Sequence, residues 1–145
     1  MEKMYTIEDL AAFTGLTDRT LRSYLKDGRL SGTKEEGAWR FSSEDLGRLL
    51  QDGAARRAME ANRNALIYDF MLDGAAEDRC CVIRDIPVAE EGEEALRARL
   101  LERVNREEGR VRLSYSYGVD RRGQGSARVI LAGGTALVRQ ILADT

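Results

Sequence analysis

The side chains with the clearest chemical purpose lie near the N-terminus. Thr17, Asp18, Arg19, Thr20, Arg22 and Ser23 fall on the outer side of a short helix whose Leu21 and Leu25, four residues apart, face inward. A helix that presents polar and basic groups near its N-terminus can enter the major groove of duplex DNA, where such side chains read base edges. Lys34 and Arg40 follow on a short extended ribbon, placed where a wing meets the sugar–phosphate backbone. On this reading Arg19 reaches base edges or a flanking phosphate, Thr17 and Thr20 accompany it into the groove, and Arg22, Lys34 and Arg40 grip phosphates.

The remaining candidates point away from catalysis. The chain has no histidine, which excludes Ser-His-Asp and Cys-His catalysis and any zinc site built on imidazole. Its two cysteines, Cys80 and Cys81, are adjacent, so they cannot supply four tetrahedral ligands or staple distant segments. In an extended strand their side chains point to opposite faces, and two inert, buried thiols in a reduced intracellular chain are expected. Tyr115 and Tyr117 alternate with Ser114 and Ser116; they form either the core face of a hairpin or the wall of a pocket for a flat organic molecule. Gly133-Gly134-Thr135 lacks the lysine of a phosphate-binding loop and reads as a strand-to-helix turn. Glu90, Glu91, Glu93 and Glu94 read as a solvated helix start. These observations imply no enzyme, no cofactor and no bound metal. No apolar run resembles a signal peptide or has the ~20-residue length of a membrane span, so a cytoplasmic protein without a membrane partner is expected.

Three zones position these residues. The 145 residues, 33% charged and 43% hydrophobic with a net charge of −2, have the balance of a globular chain. Residues 1–51 read as helix, three-residue turn, helix, ribbon and helix: Thr6 caps the first helix with Asp9 three residues on, Gly15 ends it, Thr17 caps the second, Gly28 ends that, and Ser42 caps the third. This is a winged helix-turn-helix. Residues 52–74 form one helical pattern with Met59, Leu66, Ile67, Phe70 and Met71 on a stripe that packs either on the chain's own C-terminal part or on the same helix of a second chain. Residues 75–145 read as strand, helix, strand, strand, helix. The predicted class is α+β: a winged helix-turn-helix, a connecting or dimerisation helix, and a small β-α-β-β-α domain for dimerisation or ligand sensing.

Residues 1–50 hold eight Lys and Arg against nine Asp and Glu, a net charge of −1. Phosphate neutralisation supplies most non-specific affinity, so one such module binds DNA weakly and specific binding calls for two copies on a two-fold site.

Thr6-Ile7-Glu8-Asp9-Leu10-Ala11, Thr14-Gly15-Leu16-Thr17, Arg19-Thr20-Leu21-Arg22-Ser23-Tyr24, Asp27-Gly28-Arg29-Leu30, Trp39-Arg40-Phe41-Ser42 and Glu44-Asp45-Leu46 follow one another at intervals that resemble the DNA-binding domain of the MerR family and its excisionase-like relatives. The resemblance implies a homodimeric, cytoplasmic transcription regulator that contacts double-stranded DNA through its second helix and wing, dimerises through an antiparallel helix and answers to a small-molecule effector. It adds Tyr24 to the DNA-contacting set. Trp39, standing where MerR proteins commonly have the first of two wing arginines, is closer to the excisionase-like variant, which implies an alternative: an architectural or adaptor protein whose C-terminal domain recruits a protein partner. Titration with a thiophilic divalent metal is expected to give no tight thiolate-to-metal absorbance from Cys80 and Cys81; a stoichiometric band would contradict the inert reading.

Overall fold

The computed structural model describes residues 4–74 and 77–145. Hydroxyl caps set the N-terminal helices. Thr6 starts α1 (Ile7–Thr14): its Oγ1 accepts from the Asp9 N–H at 3.1 Å while the Asp9 carboxylate accepts from the Thr6 N–H at 2.9 Å. Gly15 ends α1 at φ 74°, and Gly28 ends α2 (Asp18–Asp27) at φ 81°, left-handed positions that strain any residue with a Cβ. The strands β1 (Thr33–Glu35) and β2 (Ala38–Arg40) pair antiparallel around the two-residue turn Glu36-Gly37, both at positive φ as hairpin twist requires. Ser42 forms a second capping box with Asp45 to open α3 (Ser43–Gln51). Asp52 then closes α3 and caps α4 (Gly53–Leu72) through the Ala55 N–H at 3.0 Å.

The C-terminal half runs β3 (Arg79–Pro87), α5 (Glu90–Asn105), β4 (Val111–Val119), β5 (Gly125–Gly134) and α6 (Thr135–Ala143). The strands form one antiparallel sheet in the order β3-β5-β4. Register sets Cys80, Val82, Leu113, Tyr115, Val129 and Leu131 on one face and Cys81, Ile83, Arg112, Ser114, Ile130 and Ala132 on the other. The class is therefore α+β, with the element order that the residue pattern predicts.

The two halves share one core. Ile7, Leu10 and Phe13 of α1 and Leu46 and Leu49 of α3 belong to the same buried cluster as Leu96, Leu100 and Leu101 of α5 and Leu113, Tyr115, Val129 and Leu131 of the sheet. At its centre the Phe13 and Tyr115 rings lie 5.0 Å apart, within the range of a favourable aromatic pair. Asn105 Nδ2 donates to Asp9 Oδ1 across the same boundary, and Asn62 Nδ2 of α4 donates to the Gly15 carbonyl, each at 2.9 Å.

Of the two partners open to the α4 stripe, the chain's own sheet takes most of it. Leu66, Ile67 and Phe70 pack on Ile130, Ala132 and Cys81. Met71 departs from the predicted stripe and is 73% exposed. Asp69, paired with Arg112 at 2.9 Å, marks the flank of α4 that faces β4. At about 100° per residue Met71 sits on the opposite flank. Cys80 and Cys81 are unpaired and half-buried on opposite sheet faces; burial, with neighbouring Cys80 adding to it, pushes the Cys81 thiol up. Among the described residues no helix is long and apolar enough to cross a membrane.

A shared core implies shared unfolding. Trp39 reports on the N-terminal hairpin, whereas Leu131, fully buried, lies in the C-terminal sheet. Leu131→Ala is expected to cost roughly 2–5 kcal/mol and to lower the denaturation midpoint seen by Trp39 fluorescence and by far-UV circular dichroism equally. A Trp39 transition that stayed in place would mean that the halves unfold independently.

Candidate nucleic-acid interface

The α1–turn–α2 unit is held from beneath. Leu16 of the three-residue turn and Leu21 of α2 are buried in the common core, with Leu30 and Phe41 beside them. Thr17 caps α2: its Oγ1 accepts from the Thr20 N–H at 3.1 Å and donates to Thr20 Oγ1 at 2.9 Å. These two hydroxyls thus fix each other as well as the start of the helix. With its inner side committed, α2 leaves Asp18, Arg19, Arg22, Ser23 and Lys26 exposed.

The exposed cations differ in their engagement. Arg22 Nε pairs with Asp18 at 2.9 Å, both side chains 58% exposed, a solvated i,i+4 pair that a phosphate can displace at little cost. Arg19 has no ion-pair partner among the described residues. On the hairpin, the exposed Lys34 ammonium sits 5.7 Å from the centre of the Trp39 ring, a cation–π contact that extends it over the strand pair. Half-buried Arg40 donates from Nη1 to the Trp39 carbonyl at 3.2 Å. Arg22, Lys34 and Arg40, distant in sequence, line one cleft of about 190 Å³ together with Thr6, Glu8 and Trp39. Tyr24 is half-buried on the inner side of α2, and its carbonyl accepts from the N–H groups of Arg29 and Leu30, closing the helix end.

Tyr115 and Tyr117 do not join this cleft. Both line a separate groove of about 710 Å³ between the first half of α4, the end of α3 and the β4–β5 hairpin. Tyr115 is 5% exposed and donates to Glu93, while Tyr117 donates to the Val88 carbonyl at 3.0 Å. The glutamates expected to be a solvated helix start are not all solvated. Glu93 accepts twice from Arg97 Nη1, at 2.9 and 3.1 Å, and Arg97 is only 6% exposed. Arg97 Nη2 in turn donates to the carbonyl and hydroxyl oxygens of Ser43, at 3.2 and 3.3 Å, so α5 holds the first residue of α3. Gly47 lies alongside, and a Cβ there would come 3.4 Å from Arg97 Nη2. The buried charge of Arg97 is offset by these four oxygen contacts and the Glu93 charge, while its buried Nε has no hydrogen-bond partner among the described residues.

Two groups escaped the sequence reading. Lys26 extends the Arg19, Arg22 and Ser23 row by one helical turn, and its i+7 spacing from Arg19 was the available signal. Arg97 looked like an ordinary i,i+4 partner of Glu93 in a charged helix, and nothing local marked it as buried.

The family model of a helix-turn-helix domain matches residues 4–54, the segment from just ahead of α1 to the start of α4. No curated protein and no solved structure matches the chain.

Burial, followed by the hydrogen bond to Glu93 and its charge, raises the Tyr115 phenol far above its ordinary value near 10. Because the folded value exceeds the unfolded one, the stabilisation is complete below about pH 10 and is lost as pH climbs beyond it. Tyr115→Phe is expected to lower stability at neutral pH by roughly 1–3 kcal/mol and to flatten the alkaline loss. An unaltered alkaline limb in urea denaturation would contradict this assignment.

Proposed function

We propose that the protein is a sequence-specific DNA-binding transcription regulator of the MerR-like kind, acting as a homodimer. In this reading α2 lies in the major groove, with Arg19 on base edges or a flanking phosphate beside Thr17 and Thr20 and with Tyr24 supporting the helix end. The β1–β2 hairpin serves as the wing. The single observation that carries the reading is the convergence of Arg22, Lys34 and Arg40 on one exposed cleft beside the open face of α2. Three cations gathered there suit a polyanion better than a structural role, since only one of them has an ion-pair partner among the described residues. The low net charge of the module supports a two-fold arrangement, in which each copy adds its contacts to the other's. The groove beside Tyr115 and Tyr117 is then the place for a small-molecule effector, with Arg97 linking its wall to α3.

A second reading, an excisionase-like architectural or adaptor protein, is favoured by the exposed apolar side chains of Tyr68, Met71 and Leu72, which offer a surface to a protein partner. The two readings differ in DNA behaviour. The regulator gives a sharp palindromic footprint. The architectural protein gives a steep salt dependence with little sequence preference.

Arg19→Ala and Arg40→Ala are expected to leave the circular dichroism spectrum unchanged and to weaken binding to an operator selected from random duplexes. Arg19→Ala should cost roughly 1–3 kcal/mol and relax specificity at one position; Arg40→Ala should reduce the salt slope by about one. Wild-type affinity in both variants would overturn the docking.

A further inference from the structure

β3 is an open edge of the sheet. It pairs with β5 without interruption from Arg79 to Pro87, and no described element pairs with its other side. A long, unbroken edge presents a row of backbone donors and acceptors that a further strand can use. Apolar side chains are open on this side of the sheet: Ile83 on the strand is 57% exposed, and Met71 near the end of α4 is 73% exposed. Asp69 turns toward β4 through its ion pair with Arg112, so Met71 lies on the flank of α4 turned toward β3.

We propose that this edge is where two copies of the chain join, β3 against β3 of the second copy, antiparallel about a two-fold axis at Val82. It rests on the homodimer reading above and names a different surface for it: because α4 packs its apolar stripe on its own sheet, the sheet edge takes the role that the resemblance gives to an antiparallel helix. The strand is self-complementary about that residue. Directly opposite residues of an antiparallel pair share a sheet face, so an axis at Val82 sets Arg79 opposite the second copy's Asp85, and Cys81 opposite its Ile83, each twice over. An axis at Ile83 instead sets Cys81 opposite Asp85 and Arg79 opposite Pro87. An axis at Cys81 sets Glu77 opposite Asp85, two like charges. Axes between residues would align the α6-covered face of one sheet with the α4-covered face of the other. Charge and pleat therefore select the same register, and they do so for a second copy; an unrelated strand has no cause to match both ends. The present ion pairs of these residues, Arg79 with Asp73 at 3.5 Å and Asp85 with Arg128 at 2.8 Å, keep a solvated side: Asp85 is 51% exposed, and Arg79, which also lies over the Phe70 ring, is 31% exposed.

The product is an isologous dimer with a six-stranded sheet, the two β4 strands at its far edges about 24 Å apart at ~4.8 Å per strand. Each helix-turn-helix meets the sheet at β4 and α5 through α1, and β4 is the strand farthest from the β3 seam, so the seam does not use the exposed face of α2.

Size-exclusion chromatography with light scattering on the full chain tests this. The wild type is expected at twice its 16.2 kDa chain mass. Ile83→Lys should give the single-chain mass, with self-association weakened about 100-fold or more and an unchanged circular dichroism spectrum. Met71→Glu should weaken it in the same direction. Val119→Lys, at a residue 55% exposed at the far end of β4, should remain a dimer. A wild-type chain that stays monomeric at its solubility limit, or a dimer indifferent to Ile83→Lys, overturns the surface. Failure of DNA binding is read separately: a dimer broken by Ile83→Lys in a protein that selects no duplex leaves the surface standing and removes the DNA reading.

Discussion

The structure depends on the burial of α1 against the C-terminal half. Leu10 and Phe13 are wholly or almost wholly buried, and what covers them includes Tyr115 of β4 and the leucine row of α5. A helix-turn-helix of about fifty residues buries only a marginal core of its own. Here the missing apolar surface is supplied by the sheet domain, and Asn62, Asn105 and Arg97 add directional hydrogen bonds at the seam. The polar ties set orientation, because each reaches a backbone carbonyl or a capping carboxylate of the N-terminal unit.

That constraint shapes how such a molecule could respond to a signal. A helix-turn-helix that shares its core with the rest of the chain does not swing as a separate unit, since packed interiors switch between discrete arrangements and do not deform smoothly. A ligand in the groove beside Tyr117 would act on α3 through the Glu93–Arg97–Ser43 chain of contacts, or on the relative placement of two copies. In either case the open face of α2 is presented by a rigid base, which favours pre-organised contacts with phosphate and base edges.

Much of the fold was legible because it is written in local signals. Thr6 with Asp9, Thr17, Ser42 with Asp45, Gly15 and Gly28 mark helix ends by hydrogen bonding and left-handed backbone, which need no tertiary information. Strict alternation at Val111, Leu113, Tyr115 and Tyr117 exposed the half-buried strand in the same way. The outward row on α2 followed from its buried Leu21. What local pattern could not supply was convergence. Arg22, Lys34 and Arg40 meet only because the hairpin folds back beside α2, and the burial of Arg97 depends on Ser43 and Gly47 of a helix far away in the chain. Met71 shows the complementary limit: periodicity assigned it to the apolar stripe, but the packing of Leu66, Ile67 and Phe70 on the sheet leaves it on an uncovered flank, opposite Asp69.

The central claim is that the outer face of α2 and the hairpin after it contact duplex DNA. Amide hydrogen exchange of the full chain, with and without a duplex recovered by selection, reads that contact residue by residue. Added protection confined to residues 17–26 and 33–40 is the result this account predicts. Protection at residues 79–87 or along α4, with α2 unchanged, would contradict it.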